Sequence, residues 1–131
     1  MVVDSSAVIA ILEREPEAEL FAGLMEEAAV RLISAVSVLE CGMLALSRRG
    51  AAGVRELDLF LGRGGFDIVP FDADQAAVAR GAFDVFGKGR HPAGLNFGDC
   101  ASYALSRTAA EPLLFKGDDF GRTDLETVVD G

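Results

Sequence analysis

A chain of 131 residues, half of them hydrophobic, has the length and apolar content of one compact domain with a real core, and residues 1–131 are expected to form a single domain. A formal net charge of −9 excludes broad, charge-driven adhesion to nucleic acid, which needs basic surface to displace counterions, but it leaves room for a local basic rim. No stretch approaches the roughly 18 uninterrupted apolar residues of a membrane span, and the first residues lack the basic flank and cleavage pattern of a signal peptide, so a cytoplasmic location is expected.

Residues 1–4 read as a short buried strand that stops at Asp4, after which Ser5 or Ser6 caps a helix through about Glu13. Pro16 suits the first turn of a second helix, to about Ala29, with Leu20, Phe21 and Leu24 on its apolar side. The segment "VRLI" (30–33) reads as a strand. From Ser34 to Arg48 the pattern is helical and unusually apolar; the basic residues of "SRRG" suit a helix C-terminus and Gly50 suits its stop. A further helix is expected over 52–62, a strand in "FDIVPF" (66–71), and a helix over 73–86 with Val78, Phe83 and Phe86 among its apolar positions. The Gly and Pro content of "GKGRHPAG" (87–94) suits a loop. Asn96 opens a helix to about Ala109, "PLLF" (112–115) reads as a strand and "TVV" (127–129) as a last edge strand. Repeated strand–helix alternation with short connections predicts an α/β sandwich around a mainly parallel sheet, with right-handed crossovers.

Cys41 and Cys100 lack CxxC spacing and are too few for a disulfide framework, so both read as reduced core residues, and no zinc site is expected. The informative residues are acids. In open parallel sheets ligands bind at the carboxyl ends of strands, where Asp4 stands; its structural alternative is an N-cap for the next helix. Glu40 has Val36, Leu39, Met43 and Leu44 as neighbours at helical spacing. A carboxylate in such surroundings is costly unless a cation or donors meet it; the alternative is a solvent strip shared with Ser37 and Ser47. Asp99 follows Asn96 at the spacing of a capping box, and the same first-turn position directs it toward the strand ends. The segment "LLFKGDDFGRTDL" (113–125) delivers Asp118 and Asp119 to another strand end, or forms an ordinary Gly/Asp turn. Converging carboxylates repel and protonate unless a divalent cation neutralises them, and an all-oxygen donor set favours Mg²⁺ or Mn²⁺. Such an ion serves phosphodiester hydrolysis, by activating water and stabilising charge on the leaving oxygen.

Four segments, "VVDSSAVIAIL", "SAVSVLECGMLAL", "LNFGDCASYALS" and "PLLFKGDDFGRTDL", in this order and over nearly the whole chain, resemble the VapC-type toxins of the PIN-domain ribonuclease family. The resemblance implies a PIN-like three-layer α/β/α sandwich and a Mg²⁺- or Mn²⁺-dependent endoribonuclease acting on tRNA or rRNA. It further implies a type II toxin–antitoxin system, a homodimer, and a cognate VapB-type antitoxin that occupies the active site. Asp4, Glu40 and Asp99 carry over as metal-centred acids: Asp4 and Asp99 as direct ligands, Glu40 as a ligand or as the group that orients water. Many family members place the fourth acid in a Thr-x-Asp pattern. Here Gly117 occupies that register, so Asp118 is assigned, with Asp119 open, to position water or a second ion. Ser6 and Asn96 match polar positions that support the site by hydrogen bonds. Lys88 and Arg90, flanking the loop that holds the only histidine, His91, are candidate contacts to RNA phosphates, or solvated loop charges. The six glutamates of 13–27 read as a solvated helix face whose apolar residues alternatively line an antitoxin groove or a dimer contact. With a charge of −9, selectivity for one folded RNA is expected over general degradation. Two other classes fit part of the pattern. A receiver-like phosphotransfer domain shares strand-end carboxylates, with Lys116 as its late lysine, but "VVDSS" lacks the adjacent acid pair. A catalytically silent PIN-fold binding module would act only through its partner.

Overall fold

The computed structural model describes residues 1–128. Its first strand, β1 (Val2–Val3), is fully buried and leads at once into helix α1 (Ser5–Leu12). Asp4 is the N-cap, accepting the Ser6 N–H at 3.0 Å; the cap expected from Ser5 or Ser6 falls to Asp4 because both serines already lie inside the helix. Helix α2 (Ala18–Glu27) begins beyond Pro16 and buries Phe21 and Met25, while Leu20 faces solvent. Its apolar side is therefore rotated from the expected one, because Met25 rather than Leu20 shares a face with Phe21 at helical i,i+4 spacing.

Strand β2 (Leu32–Ser34) feeds α3 (Ala35–Arg63), which consists of two helical stretches joined at Gly50. The stop expected at Gly50 is a one-residue kink: its backbone (φ 64, ψ −152) lies in a region essentially reserved for glycine, and the helix resumes directly after it. Arg31 secures the ends of both long helices, donating from Nη1 to the Met25 and Ala28 carbonyls at 2.7 and 2.9 Å and from Nε to the Gly64 carbonyl at 2.5 Å. Strand β3 (Asp67–Val69) stops before Pro70, which has no donor to extend a ladder. Helix α4 (Ala73–Phe86) has the expected bounds, although Phe83 is largely exposed. Helix α5 (Phe97–Ala109), strand β4 (Leu113–Leu114) and a 3₁₀ turn at Phe120–Arg122 follow. Of the expected edge strand at 127–129, Thr127 makes one parallel bridge to Leu113, and Val129 lies outside the described residues.

All strand pairs are parallel and the sheet order is β3-β2-β1-β4. Successive strand residues serve opposite layers, as a period of two requires. Val3, Ile33 and Leu114 pack with Ala7, Val8, Phe21, Cys41 and Leu57 of α1–α3, whereas Val2 and Leu113 pack with Leu95, Tyr103, Ala104 and Leu105 of the α4–α5 side. The result is a three-layer α/β/α sandwich. Because the chain builds outward from β1 through β2 to β3 and then returns to the far side of β1 with β4, the switch in strand order falls between β1 and β4. Crevices at such a switch, at the carboxyl ends of the strands, are where open α/β sheets bind ligands. Among the described residues no helix is long and apolar enough to cross a membrane.

Candidate active site at the strand switch

Asp4 emerges from β1 at the switch point and is buried, with 2 % of its surface exposed. Each of its oxygens is held: Oδ2 accepts the Ser6 N–H at 3.0 Å and Oδ1 accepts the Ser102 hydroxyl at 2.5 Å. Capping and site chemistry coexist here, since a carboxylate has about four lone-pair positions and these bonds use two of them. Ser6 also ties the start of α1 to the segment that follows β4, its Oγ accepting the Lys116 N–H at 2.9 Å. The Lys116 ammonium turns to Glu15 and Glu17, at 2.8 and 3.0 Å.

Glu40 lies in the second turn of α3, and its Oε1 is buried without a hydrogen-bond partner. The first turn of α5 comes close to it at Gly98, where a Cβ would stand 2.7 Å from Oε1, so a larger residue there would displace the Glu40 carboxylate. The solvent-strip alternative fails at Ser37, which is fully buried, although Ser47 is exposed. Nor is the face around Glu40 closed by its apolar neighbours, because Leu39 and Met43 are 63 % and 62 % exposed. An orphaned carboxylate oxygen at such a place is costly in a folded protein and favours a cation or a donor beside it.

Asp99 completes a capping box with Asn96: Asn96 Oδ1 accepts the Asp99 N–H and Asp99 Oδ2 accepts the Asn96 N–H, both at 3.0 Å. Burial pushes the Asp99 carboxyl up to about 7 against the lowering effect of that N–H, and the charges of Asp4, Asp119 and Glu40 raise it further. The charges of three acids from separate parts of the chain thus bear on Asp99. Asp118 and Asp119 are both exposed, and of the two only Asp119 is among the charges that act on Asp99. The same field reaches the two free, buried cysteines. Burial, then Glu40 and Asp4, push the Cys41 thiol up to about 12, and burial, then Asp99, push Cys100 up to about 11.

The basic loop is partly committed elsewhere. Arg90 pairs with the Asp84 carboxylate at 2.8 Å and donates to the Asp84 carbonyl at 3.0 Å. His91 accepts the Ala93 N–H at Nδ1 and meets Phe86 edge-on, while Lys88 is exposed. Neither Lys88 nor Arg90 is among the charges that act on Asp99. Sequence reasoning passed over Ser102 and weighed Ser37 only as part of a solvent strip. Ser102 follows Asp99 at i,i+3 and Ser37 precedes Glu40 by the same interval, a spacing that places each on the face of its acid.

Among the described residues, no three acidic, histidine or cysteine side chains already close around one point. The test of fit therefore rests on the chemistry of the donors rather than on a closed geometry. The donor set is all oxygen, Glu40 Oε1 lacks a partner, and the ionisation of Asp99 is opposed by its acidic neighbours; these features fit a hard divalent cation.

The chain is thus a parallel three-layer sandwich with acidic residues near its strand switch, and the PIN domain family profile matches residues 1–126. The chain belongs to the PIN-domain family. Within that family it falls among the VapC-type proteins: it is 51 % identical over 128 residues to ribonuclease VapC30 of Mycobacterium tuberculosis, covering 98 % of each chain. It is 52 % identical over 128 residues to a ribonuclease VapC of Mycolicibacterium smegmatis, covering 98 % of this chain and 99 % of that one. Among solved structures it resembles M. tuberculosis VapC20, a toxin that cleaves the sarcin–ricin loop, with a TM-score of 0.78 at 18 % identity over 97 % of both chains. This membership removes the receiver-like alternative, whose sheet and acid pattern belong to another family.

Proposed function

We propose that this chain is the metal-dependent endoribonuclease toxin of a type II toxin–antitoxin pair, with Asp4, Glu40, Asp99 and Asp119 as the acids that hold Mg²⁺ or Mn²⁺. The observation that carries this reading is the convergence of the charges of Asp4, Glu40 and Asp119 on Asp99 at the strand switch, with Glu40 Oε1 left unpartnered. Asp119 takes the place first assigned to Asp118 because its charge reaches Asp99. When bound, a divalent ion supplies neutralisation of the acids, an activated water and a counter-charge for the cleaved phosphodiester. The chain's own groups prepare for this. The Ser6 N–H and the Ser102 hydroxyl hold the Asp4 carboxylate in one orientation, and Asn96 holds Asp99 in the first turn of α5. Gly98 keeps α5 close enough to confine Glu40. Lys88 serves as the freer contact to RNA phosphates, Arg90 doing so only on leaving Asp84. The substrate is a structured RNA such as tRNA or rRNA.

Two surface features support the partner reading. A cavity of about 640 Å³ between α1, α2 and the second half of α3, with Met25, Leu59 and Phe60 in its lining and Glu26, Glu56 and Arg63 among its charged residues, suits an amphipathic segment of a VapB-type antitoxin. Leu39, Met43 and Leu46 on α3, with Phe97 on α5, stay exposed beside the Glu40–Gly98 contact and suit a homodimer.

The test is cleavage of total tRNA and rRNA by the purified, antitoxin-free protein with and without Mg²⁺ or Mn²⁺. Wild type is expected to cleave only with metal, and Asp4→Asn and Asp99→Asn to lose more than about 100-fold, beyond what the removal of an outer partner costs. Metal binding without cleavage of any RNA would favour the catalytically silent module. Absence of metal binding would return Asp4 and Asp99 to service as helix caps.

A further inference from the structure

Asp4 is reached by a second serine that lies far from it in sequence. Ser102, fully buried on α5, donates to Asp4 Oδ1 at 2.5 Å, a short, charge-assisted bond. Ser37, fully buried on α3, places its Oγ 3.3 Å from Ser102 Oγ. A serine hydroxyl has one proton, and that of Ser102 is given to Asp4. Ser37 must then be the donor in the serine pair, so the bonds run in one direction, Ser37 to Ser102 to Asp4, each strengthening the next. The relay joins the three elements that carry Glu40, Asp99 and Asp4: Ser37 precedes Glu40 by one helical turn, Ser102 follows Asp99 by one, and the relay ends on Asp4 itself.

From this we infer that Ser102, backed by Ser37, is a positioning residue that orients Asp4 for the metal. With Ser6 N–H on Oδ2 and Ser102 on Oδ1, rotation of the carboxylate about its Cβ–Cγ bond is blocked, and its unused lone pairs point in a fixed direction. Ligating carboxylates are commonly fixed in this way by outer hydrogen bonds, whose loss lowers metal affinity about 10–100-fold. The inference rests on the metal reading above and names which of this chain's residues tune it.

The experiment measures the Mn²⁺ dissociation constant of the full chain by calorimetry or electron paramagnetic resonance, for wild type, Ser102→Ala, Ser37→Ala and the double variant. Thermal melts of the metal-free proteins run alongside. Ser102→Ala is expected to weaken Mn²⁺ binding about 10-fold or more while the protein still melts cooperatively, and Ser37→Ala is expected to weaken it less. In the Ser102→Ala background the Ser37→Ala effect should vanish, because the relay is already cut. Should Ser102→Ala fail to fold, weakened binding in folded Ser37→Ala supports the relay, and wild-type affinity there overturns it. Wild-type Mn²⁺ affinity in Ser102→Ala, with only its melting point lowered, would show a merely structural serine and overturn the inference. No Mn²⁺ binding by wild type would overturn the metal reading, and this inference with it.

Discussion

At the residue scale, the metal-free site is built against its own stability. Asp99 is raised to about 7, above the roughly 3.9 of an unfolded aspartate, so between these values the folded state binds more protons than the unfolded one. The stability tied to this group is fully present below the unfolded value and is lost as pH rises through the folded one. Asp99→Asn removes the repelled charge but keeps an oxygen able to accept the Asn96 N–H. Metal-free Asp99→Asn is therefore expected to melt above wild type at pH 8 by roughly 3–5 °C, about 1 kcal/mol for a chain of this size, with the gap closing toward pH 5. Melting curves at both pH values check this, and an equal gap at each would show that Asp99 is not repelled by its neighbours. Asp4, Glu40 and Asp99 stood out in the sequence because Glu40 interrupts an apolar run and Asp4 and Asp99 stand at helix-capping positions. Between Asp118 and Asp119 the sequence gives no choice, since one residue in a Gly/Asp turn changes direction without changing composition.

At the element scale, α3 carries Glu40 in its first half and the core residues Leu57 and Leu61 in its second, and Gly50 sets the angle between the halves. The approach is close: a Cβ on Gly53 would lie 2.7 Å from the Ala45 carbonyl oxygen. An alanine at position 50 would have to hold φ 64, ψ −152, a glycine-only conformation that costs other residues about 1–3 kcal/mol. Urea denaturation of Gly50→Ala should show a loss of that size, and an unchanged midpoint would mean that the kink relaxes into continuous helix. The break was visible in "SRRG", and α4 and α5 were read with their bounds because Asp72 and Asn96 cap them with side-chain hydrogen bonds. Strand lengths were overestimated. The pattern marks apolar residues, whereas a strand lasts only while a neighbour runs alongside it, and β1 and β4 pair over two residues.

At the scale of the whole molecule, Leu39, Met43 and Leu46 form an exposed stripe at i, i+4 and i+7 of α3, with Phe97 82 % exposed on the neighbouring helix. In a chain of net charge −9, a further acid on this stripe would repel a second copy of the same chain. Light scattering after gel filtration should find wild type as a dimer and Leu46→Glu as a monomer. A wild-type monomer at tens of micromolar would assign the stripe to another partner.

The amino-acid sequence by itself determined the order of elements, the parallel α/β class and the family, because capping, periodicity and charge within apolar runs are local properties. Only the tertiary structure decided which of these groups meet. It brought the charge of Asp119 to bear on Asp99, turned Ser37 inward and Leu39 and Met43 outward, and placed Ser102 on Asp4 across 98 residues of chain. Those outcomes depend on how helices pack over a sheet whose strand order reverses, and such packing brings together residues that no local spacing connects.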